Sequence, residues 1–176
     1  MELTKIKKEG ILSINLEYVL LSLLYIFSFL VPLIIAKPQI LVGSAVNFLI
    51  VYTTLKYGFK KAIPILLIPS LVATGRGLLF GGATIFLVYL LPFIMISNGI
   101  LGFCTYRLKN WIGLLVGTVL KASFLYLITL VLVNTISLPK IFLTTMGISQ
   151  LYTALIGGSI AMLLFLITKK REESYT

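Results

Sequence analysis

Long apolar segments, separated by short polar or basic clusters, make up most of this chain. A helix needs about 20 apolar residues to cross the hydrocarbon core of a bilayer, and six segments reach or approach that length. Their predicted ranges are 18–36, 40–55, 62–74, 83–106, 111–133 and 141–168. The pattern predicts an all-α integral membrane protein, a six-helix transmembrane bundle in which residues 1–176 form a single domain.

The third segment, 62–74, is short and contains Pro64 and Pro69. Its length corresponds to only about 20 Å of helix, and proline interrupts helical hydrogen bonding. The glycine-rich stretch that follows contains Arg76. Two interpretations stay open: a Pro-broken helix that leads into an external loop folded over the bundle, or an ordinary loop after a helix that continues to Phe80.

The basic residues between the segments predict the orientation of the chain. With the N-terminus in the cytoplasm, eleven Lys or Arg residues fall on the inner side and three on the outer side. This asymmetry follows the positive-inside rule, and an odd number of spans would remove it. We therefore expect both termini in the cytoplasm and a multi-pass protein of the cell (plasma) membrane. The inner set is Lys5, Lys7, Lys8, Lys56, Lys60, Lys61, Arg107, Lys109, Lys169, Lys170 and Arg171, and the outer set is Lys37, Arg76 and Lys140.

Composition agrees with a membrane location, because 59% of the residues are hydrophobic and only 11% are charged. Soluble domains carry about 25% charged residues. No carboxylate side chain lies between Tyr18 and Arg171. The net charge of +10 comes from short basic clusters. These clusters favour the headgroups of the lipid bilayer as partners, and no nucleic acid is expected because the chain has no continuous basic face.

The available residue types restrict the chemistry further. The chain has no histidine and one cysteine, Cys104, so neither a metal site nor a cofactor is expected. General acid–base catalysis uses His, Asp or Glu, so we do not expect an enzyme. Carriers driven by protons or sodium usually rely on membrane carboxylates or histidines. The spans of this chain have neither, so such a carrier is a less favoured interpretation. The sequence also has no glycine-rich ATP-binding loop, so any step driven by ATP belongs to other proteins.

Lys121 lies ten residues after Trp111 in the fifth segment. That is about 15 Å of helix, which is too deep for the ammonium to reach water comfortably. A lysine at this depth costs about 2.5–3.5 kcal/mol on insertion scales. A neutral amine, a cage of amides and carbonyls, a wet cavity or an anion from outside the chain would each offset this cost. The functional interpretation is an anion site; the structural alternative is a lysine that holds the bundle together through Asn or Gln.

Small residues predict where helices pack closely. Gly113, Gly117 and Lys121 are spaced by four residues and share one helix face, on which glycine lets another backbone approach. The sixth segment has a similar stripe, which predicts contact between the fifth and sixth spans. Its members are Ala154, Gly157, Gly158 and Ala161.

Three carboxamides occupy the spans that run inward: Asn47, Asn98 and Gln150, separated by 51 and 52 residues. Asn47 and Asn98 are expected near the midplane, and Gln150 nearer the outer end. The stretches NFLIVYTTLK and NGILGFCTYR also resemble each other, which suggests three related hairpins, with chance similarity as the alternative. The candidate ligand-binding residues are Lys121, Asn47, Asn98, Gln150 and Arg76, the last as an outer cap on an anion or as a headgroup contact.

The passages PQILVGSAVNFL, LPFIMISNGIL and SQLYTALIGG are similar to those of S components, the substrate-binding membrane subunits of energy-coupling-factor transporters, and of small S-component-like prokaryotic membrane proteins. The resemblance implies a high-affinity site that opens to the outside, formed by the outer halves of the spans and the external loop. It also implies a membrane scaffold subunit and two cytoplasmic ATPases as partners.

These observations predict a membrane-embedded subunit for uptake of a small solute that is anionic or bears an amide, energised by separate ATPase subunits. The alternative is a non-transporting membrane scaffold or assembly subunit, in which the same polar residues only hold helices together.

Overall fold

The computed structural model describes residues 2–35, 37–77 and 81–173. Within these ranges the chain forms seven α-helices and one short 3₁₀ helix, Gly81–Phe86, and no strand. The α-helices are α1 (Glu2–Ile34), α2 (Gln39–Tyr57), α3 (Phe59–Arg76), α4 (Leu87–Leu108), α5 (Trp111–Ile136), α6 (Ile141–Met146) and α7 (Ile148–Glu173).

Five helical stretches of the described chain are long and apolar enough to cross a membrane. Large apolar side chains cover the outside of the bundle, with Ile85 70% exposed and Ile34 67% exposed. Lipid suits such a surface and water does not, so the fold is that of a multi-pass membrane protein. The five stretches are Leu16–Ile34, Gln39–Tyr57, Ala83–Leu108, Trp111–Ile136 and Ile141–Arg171.

Most predicted spans agree with the helices to within a few residues. The first differs because α1 begins at Glu2, 16 residues before the predicted start at residue 18, and its predicted end at residue 36 lies outside the described residues. The sixth span, 141–168, differs because Gly147 divides it into α6 and α7. A side chain on Gly147 would meet the Leu143 carbonyl and the Tyr126 ring, both at 2.9 Å. Glycine therefore allows the chain to turn at this point against α5.

The prediction that prolines break the third span is wrong. Helix α3 is continuous over 18 residues and ends at Gly77, whose φ of 72° is left-handed as expected for a glycine that ends a helix. Proline removes one N–H but has a helical φ, and groups on neighbouring helices can satisfy the carbonyls of the preceding turn. The carbonyl that loses its helical donor at Pro69 is that of Ile65, four residues earlier, and the neighbouring Leu66 carbonyl accepts a hydrogen bond from Asn98 of α4.

Helices α1, α3 and α5 run in one direction, and α2, α4 and α7 run in the other. The directions follow from pairs of contacts at different heights along neighbouring helices. For example, Tyr25 of α1 bonds Lys61 of α3, and Pro32, further along α1, bonds Arg76, further along α3. One end of the bundle, which we call the basic end, therefore collects Lys56, Lys60, Lys61, Arg107, Lys109, Lys169, Lys170 and Arg171. We call the opposite end the cavity end.

Close helix packing surrounds the middle of the bundle. A side chain on Gly157 of α7 would collide with the Ser44 carbonyl of α2, so these two backbones touch. Gly158 faces Leu114 of α5, which confirms the predicted contact between the fifth and sixth spans. Toward the basic end, buried apolar side chains fill the bundle: Leu49, Ile50, Leu55, Ile65, Leu101, Leu114, Ala161 and Met162.

Candidate functional site

Lys121 is buried in the middle of the bundle, with only 2% of its surface exposed. Its Nζ donates to Oδ1 of Asn47 at 2.6 Å and to Oδ1 of Asn98 at 2.8 Å. Both distances are short for N–H···O hydrogen bonds. The two bonds connect α5 to α2 and α4, and both predicted midplane asparagines therefore meet the predicted lysine.

The amide nitrogens of the two asparagines extend the network to two more helices. Nδ2 of Asn47 donates to Oγ1 of Thr153 in α7 at 3.2 Å. Nδ2 of Asn98 donates to the Leu66 carbonyl of α3 at 3.0 Å and lies 3.5 Å from Oγ of Ser70. Because each amide oxygen faces the ammonium and each amide nitrogen faces an acceptor, the orientation of both carboxamides is chemically consistent.

Glycines bring the helices of this network together. An added Cβ on Gly117, one turn before Lys121, would lie 3.0 Å from Cβ of Cys104 and 3.2 Å from the Leu101 carbonyl. Helix α4 therefore lies close against α5, which places Asn98 within reach of the lysine. The predicted packing face of α5, with the lysine at its end, is the surface that contacts α4.

The same mechanism positions α2 against α7. An added Cβ on Gly43 would lie 2.9 Å from the Thr153 side chain, one turn from Asn47. Gly157, one turn after Thr153 in α7, makes the second close contact with α2, at Ser44. The Asn47–Thr153 hydrogen bond is thus held between two glycine contacts, and little freedom remains for the two helices to slide.

A cavity of about 80 Å³ lies between Lys121 and the cavity end of the bundle. A single water needs about 10–15 Å³ in this measure, so the cavity has room for several waters or a small solute. Lys121, Asn47, Asn98 and Ser70 form its polar inner part. Its other lining residues include the apolar Pro32, Val42, Val46, Pro69, Leu87, Ile94 and Met146, and the partly exposed polar residues Gln39, Thr74 and Gln150.

Of the other two predicted site residues, Gln150 lines the cavity and Arg76 does not. Gln150 lines the cavity at the start of α7. Arg76 is not among the lining residues; its Nη1 donates to the Pro32 carbonyl at 3.4 Å. The arginine therefore links the end of α3 to the end of α1 beside the cavity.

Sequence reasoning missed Thr153 and Ser70. Thr153 follows Gln150 by three residues, so the helical period already put both on one face of α7. Ser70 follows Pro69, and no pattern in the sequence distinguished it from an ordinary helix serine. The Leu66 carbonyl had no side-chain signal at all, because a backbone acceptor becomes visible only when a neighbour donates to it.

Within the part of the chain that the structure describes, Lys121 has no acidic partner. Both of its recorded acceptors are neutral amides, and the sequence contains no acidic residue between Tyr18 and Arg171. Amide dipoles stabilise an ammonium less than a carboxylate does, and a buried charge without a partner is expensive. A negative group beside the ammonium would offset this cost.

Toward the basic end the cavity is closed. On the side of the asparagines that faces the basic end, Oγ1 of Thr54 in α2 and Oγ1 of Thr105 in α4 lie 3.1 Å apart and share a hydrogen bond. Each hydroxyl also contacts carbonyls of its own helix. The apolar core described above fills the remaining space on that side, so the described residues leave the cavity no opening toward the basic end.

Comparison with protein-family models, curated proteins and solved structures finds no match to this chain. The geometry of the site, in a multi-pass membrane protein, is therefore what supports a proposal about function.

Proposed function

We propose that this chain is a membrane-embedded substrate-binding subunit for uptake of a small solute, anionic or amide-bearing, energised by separate ATPase subunits. The observation that carries the proposal is Lys121, held by two neutral amides at the closed end of a cavity. A buried ammonium without an acidic partner gains free energy when a negative or strongly polar group arrives.

The proposed topology has six spans, with α3 as the third, both termini in the cytoplasm and the protein in the plasma membrane. Support comes from charge: eight basic residues lie at the basic end, whereas Lys37, Arg76 and Lys140 lie at the other end. The 18 residues of α3 correspond to about 27 Å of helix, close to the thickness of the hydrocarbon core. In this orientation the cavity faces the outside.

Release to the cytoplasm requires help from partners. The core and the Thr54–Thr105 contact close the inner side of the site, so a bound solute leaves inward only if the helices rearrange. A membrane scaffold subunit and cytoplasmic ATPases, the partners implied by the resemblance to S components, would supply that work. This chain would then contribute binding and specificity.

One observation favours the alternative, a scaffold or assembly subunit without transport. The network is already connected without a solute, since Asn47 and Asn98 each have partners on two other helices. On this view Lys121 is a structural link between helices. Asn47→Ala and Asn98→Ala would then unfold the protein, and no solute would accompany it.

Gentle purification followed by mass spectrometry of small molecules and co-purifying subunits tests the proposal. We expect the wild-type protein to retain a solute, Lys121→Met to lose it while remaining folded, and the exposed control Lys140→Met to retain it. Equal retention by both variants would remove Lys121 from the site. Recovery of neither a solute nor ATPase subunits, under conditions that preserve a known complex, would favour the scaffold.

A further inference from the structure

We infer that the solute is a short-chain monocarboxylate, whose carboxylate binds Lys121 and Asn47 at the closed end of the cavity and whose hydrocarbon body lies against the apolar walls. This inference rests on the proposed function and deepens it by naming the chemical class. Four properties of the site carry it: the unused donors, the single positive charge, the apolar walls and the size.

The unused hydrogen-bonding capacity around the ammonium consists of donors. An ammonium has three N–H groups, and among the described residues two acceptors are recorded for Lys121, the two amide oxygens. The amide nitrogen of Asn47 has two N–H groups and one recorded acceptor, Thr153. One N–H from each residue thus remains, and both residues line the cavity.

Two free donors match the two oxygens of a carboxylate. A carboxamide would match less well at this end, because its own NH₂ would add two donors next to the free N–H groups of Lys121 and Asn47. The nearest carboxamide oxygens already accept from Lys121, and the Leu66 carbonyl already accepts from Asn98. An ammonium solute is disfavoured at this end for the same reason and also by charge repulsion from Lys121.

The charge of the site fits a single negative charge. Lys121 is the one cation that lines the cavity among the described residues. A dianion would bring a second charge that no lining cation pairs, and burying an unpaired charge is costly. Arg76 does not supply this second cation, because it binds the Pro32 carbonyl and does not line the cavity.

The walls and the volume describe the body of the solute. Val42, Val46, Leu87, Ile94 and Met146 line the cavity, and a hydrocarbon chain gains free energy against them, whereas a small inorganic anion does not. The volume of about 80 Å³ corresponds to about half a dozen non-hydrogen atoms if each needs roughly the space of a water. Carboxylates of about four or five carbon atoms have this size.

Binding of butyrate by the purified full-length protein tests this inference, with calorimetry and thermal unfolding as readouts. Butyramide, butylamine, succinate and nitrate are the comparison probes: the first has no charge, the second a positive charge, the third a second carboxylate and the fourth no hydrocarbon body. We expect butyrate to bind the wild-type protein at least tenfold more tightly than each of these, and to raise its Tm because a ligand that binds only the folded state stabilises it.

Asn47→Asp is the decisive variant, because it changes the site without removing a hydrogen-bond acceptor. The new carboxylate would pair with Lys121 from within the chain, so the protein should stay folded while butyrate affinity falls at least tenfold. Lys140→Met serves as the control with unchanged affinity. Retained butyrate binding in a folded Asn47→Asp protein would overturn the inference.

Failure of this inference differs from failure of the proposed function. If butyramide, or a neutral solute recovered from the purified protein, binds in a Lys121-dependent manner and butyrate does not, the carboxylate class is wrong and the proposed function stands. Binding of nitrate and butyrate with equal affinity would assign the site to monoanions in general and overturn the short-chain carboxylate. If none of the probes binds and no solute is recovered, both fail.

Discussion

The contact between α2 and α7 gives the sharpest test of the packing that supports the site. A methyl group on Gly157 would collide with the Ser44 carbonyl and would lie 2.8 Å from the backbone nitrogen of Phe48. Neither backbone atom can rotate away as a flexible side chain can. Gly157→Ala therefore requires α2 and α7 to separate, which also stretches the hydrogen bond between Asn47 and Thr153.

The expected loss follows from the missing space. Ordinary contact for an added Cβ begins at 3.4 Å, so the helices must move apart by more than about 1 Å, in a core where overpacking typically costs about 1–3 kcal/mol. We expect a loss of about 3 kcal/mol in the free energy of unfolding for Gly157→Ala. Gly158→Ala should cost about 1 kcal/mol, because its obstacle is the movable Leu114 side chain.

Gly99 provides the matched control, since an added Cβ there would meet nothing within 4 Å. Gly99→Ala should leave the free energy of unfolding unchanged or raise it by up to about 1 kcal/mol, the difference in helix propensity. Denaturant unfolding of the three variants in the same bicelles measures the series. If Gly157→Ala unfolds within about 0.5 kcal/mol of Gly99→Ala, the packing described here is wrong.

Three further predictions concern the polar network. Asn98→Ala should lower the free energy of unfolding by about 1–3 kcal/mol, because it leaves the buried Lys121 with one acceptor fewer. Denaturant unfolding in bicelles measures this loss, and a loss below about 0.5 kcal/mol would contradict the network. Ser70→Ala should lower the free energy of unfolding by less than about 0.5 kcal/mol in the same assay. The distance from Ser70 Oγ to Asn98 Nδ2 is long, at 3.5 Å, and Asn98 still donates to the Leu66 carbonyl. A larger loss would show that the hydroxyl contributes more than this geometry indicates. Arg76→Gln should leave solute affinity in calorimetry unchanged, because this side chain does not line the cavity, and a tenfold loss would instead make Arg76 part of the site.

The helix boundaries and the main site residues could be predicted because their signals are local. Runs of apolar residues give the spans directly, and the depth of Lys121 follows from counting residues along one helix. Asn47 and Asn98 were predicted near the same depth, and the structure shows both bonded to the lysine. Of the arrangements considered for Lys121, the structure shows the cage of amides and a cavity beside it; the neutral amine and the anion from outside the chain stay predictions.

The rest depended on relations between helices, which periodicity does not encode. The hydrogen bond that α3 accepts at the Leu66 carbonyl, near Pro69, depends on a donor, Asn98, that comes from another helix. The stripe around Gly157 predicted close packing, but the helix that approaches its backbone most closely is α2 rather than α5. Arg76 was predicted from its position in a flexible stretch, whereas its contact with Pro32 depends on where α1 ends.

The order of helices along the chain has a consequence for how the protein enters the membrane. Ribosomes make α2 and α4 before α5, so both asparagines can already be in the bilayer when the lysine arrives. The most expensive residue of the chain to insert thus meets its acceptors at once, and Thr153 on α7 joins only afterwards. A truncated protein that ends after α5 would already contain the three side chains that solvate the ammonium, whereas one lacking α2 would have to insert that lysine with half of its acceptors missing.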